Sequence, residues 1–184
     1  MSGTNLQAAI DAAVSGNKAL VVVKGDTEKG AYAGGGTGKL AIVGSGVARP
    51  GVAGGLAPGI AVSGGTLYLR NLSLTNSKPG LSVKNAAVQM RDSDVNGNTG
   101  GILLDGANFT IEDTTVSENK IGAGPSAQQY GGLLVLSPGT PKVLRNVQVL
   151  NNKQTGVVCT AAIEMTNVTA TGNVGSDITP ACQP

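Results

Sequence analysis

The side chains able to do acid–base chemistry are few: Asp92, Asp94, Glu112 and Asp113, with Arg91 beside the first of them and Arg145 further on. Two carboxylates whose surroundings split their pKa values serve as general acid and general base. Asp92, Asp94 and Asp113 also have the oxygen chemistry of a calcium site. Other chemistries are excluded at once. No histidine occurs in the 184 residues, so Ser-His-Asp and Cys-His catalysis and every histidine-ligated metal are absent. Gly34-Gly35-Gly36-Thr37-Gly38-Lys39-Leu40 approaches a phosphate-binding loop, but Ala33 and Leu40 stand where that loop needs Gly and Ser/Thr. Gly44-Ser45-Gly46 lacks the third glycine of a dinucleotide fingerprint, because Arg49 takes its place. No cofactor and no metal is expected.

Composition narrows the partners. Thirteen Lys+Arg against 11 Asp+Glu are spread along the chain, which argues against nucleic acid. With 29 Gly, one Phe, three Tyr and no Trp, the core must be aliphatic and stacking platforms scarce. The longest aliphatic run, Ala19 to Val23, is far short of a membrane span, so no membrane insertion is expected. Met1-Ser2-Gly3-Thr4 has no signal-peptide character; the expectation is that any leader or anchor lies upstream of an artificial boundary.

The elements that position these residues emerge from a repeat. Segments beginning at Leu69, Met90, Ile111, Leu144 and Met165 superpose without gaps, at intervals of 21, 21, 33 and 21 residues. An Asn follows four of them at fixed phase: Asn98, Asn119, Asn152 and Asn173, with Ser77 in the remaining turn. Then comes a glycine and a short apolar strand, as in Ile102-Leu103-Leu104. A unit this small cannot bury its apolar face alone, whereas units stacked about 4.8 Å apart can. The reading is an all-β, single-stranded parallel β-helix with coils of about 21 residues. Leu69, Met90, Ile111, Leu144 and Met165 point inward in one column; Leu74, Val95, Val116, Val149 and Ala170 form another. Asn71, Asp92, Asp113, Asn146 and Asn167 form a ladder at the bend between these strands, where Asn and Asp tolerate the left-handed conformation. That structural role argues against calcium there.

Residues 1–184 form one domain: a cap helix over 4–15 with Thr4 as N-cap and Gln7 in a capping box, irregular first coils over 19–66, regular coils over 67–175 with an insertion near 120–131, and a C-terminal cap over 176–184. Gly44 to Gly59 reads as a loop or a loose turn. Cys159 takes an inward phase, and Cys182 lies about one coil later, which suits a disulfide and an oxidising compartment. The alternative for Cys159 is a small buried apolar residue.

The cap helix Leu6–Ala13, followed by Val21-Val22-Val23, by Leu40-Ala41-Ile42-Val43-Gly44 and by the Asn-containing turns up to Asn173, resembles the right-handed parallel β-helix proteins of the pectin-lyase-like superfamily, specifically their bacterial secreted members. The resemblance implies right-handed coiling, an N-terminal capping helix and carbohydrate as the usual ligand. It leaves activity open, because that superfamily includes lyases, glycoside hydrolases, adhesins and proteins with no known reaction. Its polygalacturonate-cleaving members use clustered Asp residues, or calcium with an Arg or Lys that takes a proton.

In the stacked arrangement Arg70, Arg91, Glu112, Arg145 and Thr166 share one outward phase, which sandwiches Glu112 between Arg91 and Arg145; Lys84 and Asp105 share another. Such columns are ordinary ion-paired faces. Leu103, Leu134 and Val158 form an outward apolar strip that calls for cover, by the insertion folding over it or, as the alternative, by a partner or a ligand, in which case Tyr130 in the insertion is the aromatic available to stack on a sugar. The first expectation is therefore a non-enzymatic extracellular or cell-surface module, structural, adhesive or carbohydrate-binding, whose partner is a polysaccharide or another surface protein. The alternative is a polysaccharide-active lyase or glycoside hydrolase working with Asp92, Asp94, Glu112, Arg91 and Arg145.

Overall fold

The structure, a computed structural model, describes residues 5–35 and 37–183. Within them the chain winds through seven coils, each contributing a strand to two faces and the first six a strand to a third. The first face runs Leu20–Val23, Lys39–Gly44, Thr66–Arg70, Ala87–Arg91, the first halves of Asn108–Ser117 and Lys142–Leu150, then Glu164–Thr166. The second runs Thr27–Glu28, Gly51–Ala53, Ser73–Thr75, Asp94–Asn96, the second halves of the same two long strands, and Thr169–Thr171. The third runs Gly30–Tyr32, Ile60–Ser63, Leu81–Lys84, Ile102–Asp105, Leu133–Leu136 and Val157–Cys159, with Ile178 bridged to Val157 below. All of these pairings are parallel.

Alternation decides what faces the axis. Val21, Ile42, Leu69, Met90, Ile111, Leu144 and Met165 are register partners in turn, and all but Met165 are buried. Each such side chain contributes about 1.5–3 kcal/mol by leaving water. The inward columns thus extend two coils above the repeat legible in the sequence. The span 44–59, expected as a loop or a loose turn, contains the Gly51–Ala53 strand, which pairs with Thr27–Glu28 above and Ser73–Thr75 below. Its only large inward residue is Val52, too little for a pattern to show.

Every ladder residue at the first bend is left-handed: Asn71, Asp92, Asp113, Asn146 and Asn167 have φ between 47° and 55°. Two further bends do the same. Asn76, Gly97, Glu118, Asn151 and Gly172 follow the second face, and Gly64, Asn85, Gly106 and Ser137 the third. Just inside the second bend the Asn98, Asn119, Asn152 and Asn173 amides form a ladder. Asn119 N–H donates to Asn152 Oδ1 at 3.0 Å, while its Nδ2 donates to Val95 O and to Asn152 Oδ1. Asn98 repeats this onto Asn119, and Asn152 onto Asn173. Ser77 closes the upper end and Asp177 Oδ1 the lower.

The cap helix α1, Leu6–Ser15, lies across the first coil with Leu6, Ile10 and Ala13 buried. Its N-cap is Asn5, whose side chain accepts from Ala8 N–H; the expected cap, Thr4, lies outside the described residues. The capping box expected between Thr4 and Gln7 lies outside the described residues with it. The Gln7 side-chain amide accepts from Ala31 N–H at 2.7 Å and donates to Ala31 O, matching the hydrogen bonds a neighbouring strand would offer to that edge. Gly30 allows the close approach, since a Cβ there would lie 2.7 Å from Ile10 Cδ1. At the other end Cys159 and Cys182 form a disulfide across a Cα separation of 5.0 Å, with Cys182 fully buried. The entropy of closing a loop of this size stabilises the tail by about 3 kcal/mol.

Candidate functional site

The candidate acid–base residues gather around the first bend, where first-face and second-face strands meet. Each is held by a cation. Arg70 Nε reaches Asp92 Oδ2 at 2.9 Å, and Arg91 Nε reaches Asp113 Oδ2 at 3.1 Å. Arg145 Nη1 bonds Glu112 Oε1 at 2.8 Å. Asp94 pairs with Arg49, which the 45–50 turn brings down from two coils above. The expected sandwich of Glu112 between Arg91 and Arg145 is corrected: Arg91 reaches down to the bend residue Asp113 instead, because the stagger of the columns brings that carboxylate within its length. Asp113 Oδ1 meanwhile accepts from Asn146 Nδ2 at 2.9 Å, so both of its oxygens are engaged. Lys84 and Asp105 are register partners, but they form no ion pair among the described residues. No group of three or more His, Cys, Asp or Glu arranged to hold a metal occurs among the described residues.

The third face places the apolar strip under the insertion. Gly122–Ala123 and Gln129–Tyr130 pair as an antiparallel hairpin with Pro125–Ala127 between them, and Tyr130 packs with Leu134 and Leu136 against Leu103 and Val158. Tyr130 is 1% exposed, which corrects its expected place as a sugar-stacking residue. Burial also pushes its hydroxyl well above the ordinary tyrosine range. Leu134 is fully buried beneath the insertion, and Leu103 and Val158 are half-buried against the same cluster. Above them the same face stays open as a groove of about 580 Å³ between α1 and the Ala61 and Ser82 coils, with Asp11 and Lys84 as its charged groups.

Residues 52–181 match the family described as the right handed beta helix region, and the parallel, in-register coils of the structure agree with it. The chain belongs to the right-handed β-helix family. Neither curated proteins nor solved structures give a match.

On the first face of this β-helix stands a residue that the sequence argument passed over. Leu20, Ala41, Tyr68, Gln89 and Thr110 are successive register partners and project outward in one rank. Beside it runs Val22, Val43, Arg70, Arg91, Glu112 and Arg145. Tyr32, Phe109 and Tyr130 are 4%, 1% and 1% exposed, so Tyr68 is the aromatic ring that borders solvent. Its signal was present: Leu67 and Leu69 point inward, which forces Tyr68 out. The face around it is balanced in charge, with Arg70, Arg91 and Arg145 set against Asp92, Asp113 and Glu112.

Proposed function

We propose that this β-helix is a non-enzymatic extracellular binding module, and that a neutral polysaccharide lies along its first face with one sugar ring on Tyr68. The observation that carries the reading is the pairing of Asp92, Asp94, Glu112 and Asp113, each with its own arginine. A glycosidase needs a carboxylic acid and a carboxylate facing the same bond, and a lyase needs a base able to take a proton. Four carboxylates each taken up by a separate arginine favour neither role, while an amphipathic ring flanked by an amide and a hydroxyl offers stacking and hydrogen bonds. Balanced charge favours an uncharged chain over a polyuronate, and the disulfide suits an oxidising compartment.

The test is a panel of neutral and acidic polysaccharides followed both for retention in affinity electrophoresis and for release of reducing ends. Binding to a neutral polymer is expected, falling about tenfold in Tyr68→Ala, as loss of roughly 1.4 kcal/mol of stacking dictates. Depolymerisation that vanishes in Asp94→Ala, or binding to polyuronates that is indifferent to Tyr68, would overturn the proposal.

A further inference from the structure

Asparagine is followed by glycine at one place in the chain, Asn96–Gly97. The pair ends the Asp94–Asn96 strand and opens the second bend, just ahead of the inner-ladder residue Asn98. Two of its atoms can react with each other. Asn96 Cγ is an electrophile, and the Gly97 main-chain nitrogen is a nucleophile placed to close a five-membered ring on it. A fold suppresses that reaction by hydrogen-bonding the nitrogen, by engaging the side-chain amide, or by crowding the nitrogen with the next Cβ.

None of these protections operates at Asn96. It is half-buried, its side-chain amide bonds nothing among the described residues, and Gly97 N–H has no acceptor there either. A Cβ placed on Gly97 would meet nothing within 4 Å, so the ring has room to form. The other asparagines of the second bend are held. Ser77 N–H, after Asn76, donates to Asn98 Oδ1; Thr99 N–H, after Asn98, donates to Ser77 O; Lys120 N–H, after Asn119, donates to Asn98 O. Lower down, Asn152 N–H donates to Asn173 Oδ1, Lys153 N–H to Asn119 O and Val174 N–H to Asn152 O. Asp105–Gly106 is the aspartate–glycine pair that could react in the same way, but its glycine N–H is bound to Leu136 O at 2.9 Å.

We infer that Asn96 is a self-modifying site that converts to aspartate and isoaspartate with water as the sole reagent. The Gly97 nitrogen bonds to Asn96 Cγ, the Cγ–Nδ2 bond breaks, and the displaced nitrogen leaves as ammonia with the proton that Gly97 gave up. Water then opens the succinimide. Attack at Cγ gives aspartate, and attack at the main-chain carbon gives isoaspartate, whose backbone runs through Cβ and Cγ. One water enters and one ammonia leaves, with nothing oxidised or reduced. Isoaspartate has the larger consequence, because it lengthens the backbone by a methylene and turns the Asn96 carbonyl, the acceptor of Asn98 Nδ2 at 3.0 Å, into a free carboxylate. Asn98 is fully buried and also bonds Leu74 O and Asn119 Oδ1, so a change at the solvent-facing bend reaches the inner ladder.

The test holds folded wild type and Asn96→Gln, which would need a six-membered ring, in warm, mildly alkaline buffer for several weeks. Fragmentation mass spectrometry follows the exchange of NH2 for OH at each asparagine, and an isoaspartyl methyltransferase with labelled S-adenosylmethionine counts isoaspartate. Asn96 should convert at least about ten times faster than any other asparagine, and isoaspartate should form there rather than at Asp105. Aged wild type should unfold at a lower urea concentration than fresh protein, while the aged variant keeps its midpoint. Three results overturn the inference: Asn96 intact in the folded protein while the same chain held in urea converts, another asparagine matching its rate, or full conversion that leaves the urea midpoint unchanged.

Discussion

Two asparagine-rich ladders run down the regular coils of this β-helix with the same period, and they differ in almost everything that matters energetically. The inner one, Asn98, Asn119, Asn152 and Asn173, lies inside the second bend; its first three members are fully buried and each amide binds both its neighbour and a strand carbonyl. The outer one, Asn71, Asp92, Asp113, Asn146 and Asn167, lies at the first bend, where two members are aspartates, the arginines of the coils above reach down to them, and solvent reaches the side chains. Periodicity alone does not distinguish them. What differs is whether water can replace a lost partner. A buried amide has no substitute for its hydrogen bonds, while an exposed carboxylate has one in every passing water molecule.

The comparison is broken most forcefully at Asn119. Replacement by Ala removes the acceptor of Asn98 N–H and Nδ2 and the donor to Val95 O, leaving buried polar groups unpaired in the middle of the stack. With about 1–3 kcal/mol for each orphaned group, the loss should reach about 4 kcal/mol, read as a fall in the urea midpoint at unchanged m-value. A loss below about 1 kcal/mol would mean that the inner ladder is no more than solvated turn chemistry, and the distinction drawn above would collapse.

A change at Asn146 sharpens the contrast, because two contributions there can be separated. Its φ of 52° is left-handed, and it donates to Asp113 Oδ1 from a solvent-facing position. Asn146→Ala should cost about 1–2 kcal/mol, nearly all of it the Cβ penalty of that conformation. Asn146→Gly lacks that penalty while losing the same hydrogen bond, so it should recover most of the stability, apart from some backbone entropy. If the two variants are equally destabilised in thermal unfolding, the hydrogen bond rather than the backbone is what the outer ladder supplies.

The sequence made both ladders visible for a definite reason. Left-handed bends restrict residue type, and inward strand positions demand aliphatic side chains, so Met90, Ile111 and Leu144 announce their column wherever coils have equal length. The first coils were legible through Val21-Val22-Val23 and Leu40-Ala41-Ile42-Val43, but their short strands at Thr27, Gly30 and Gly51 escaped because these residues carry no hydrophobic signal, and because the span from 44 to 59 holds one buried valine among glycines and prolines. The partner of Asp94 escaped for a different reason. Arg49 sits 45 residues away in a turn outside any repeat phase, and no periodic argument can find a contact the period does not contain. Tyr68 was readable by alternation but was eclipsed by Tyr130, whose place in an insertion looked exposed; the structure reverses the two because the insertion folds back over Leu134.

The smallest effect belongs to Asp113, and its smallness is the point. Asp113→Asn keeps a residue that accepts the left-handed bend and keeps an acceptor for Asn146, so only the charge facing Arg91 is lost. Arg91 is 58% exposed at the side chain and Asp113 32%, so water and salt screen the pair heavily. The expected cost is about 0.5 kcal/mol in dilute buffer, vanishing at about 1 M salt, where the screening length drops to about 3 Å. Urea unfolding of wild type and variant at both ionic strengths checks it. A cost above about 2 kcal/mol that survives high salt would show that the outer row behaves like a buried network, and it would then have to be treated as a second load on the fold, equal in kind to the inner amides.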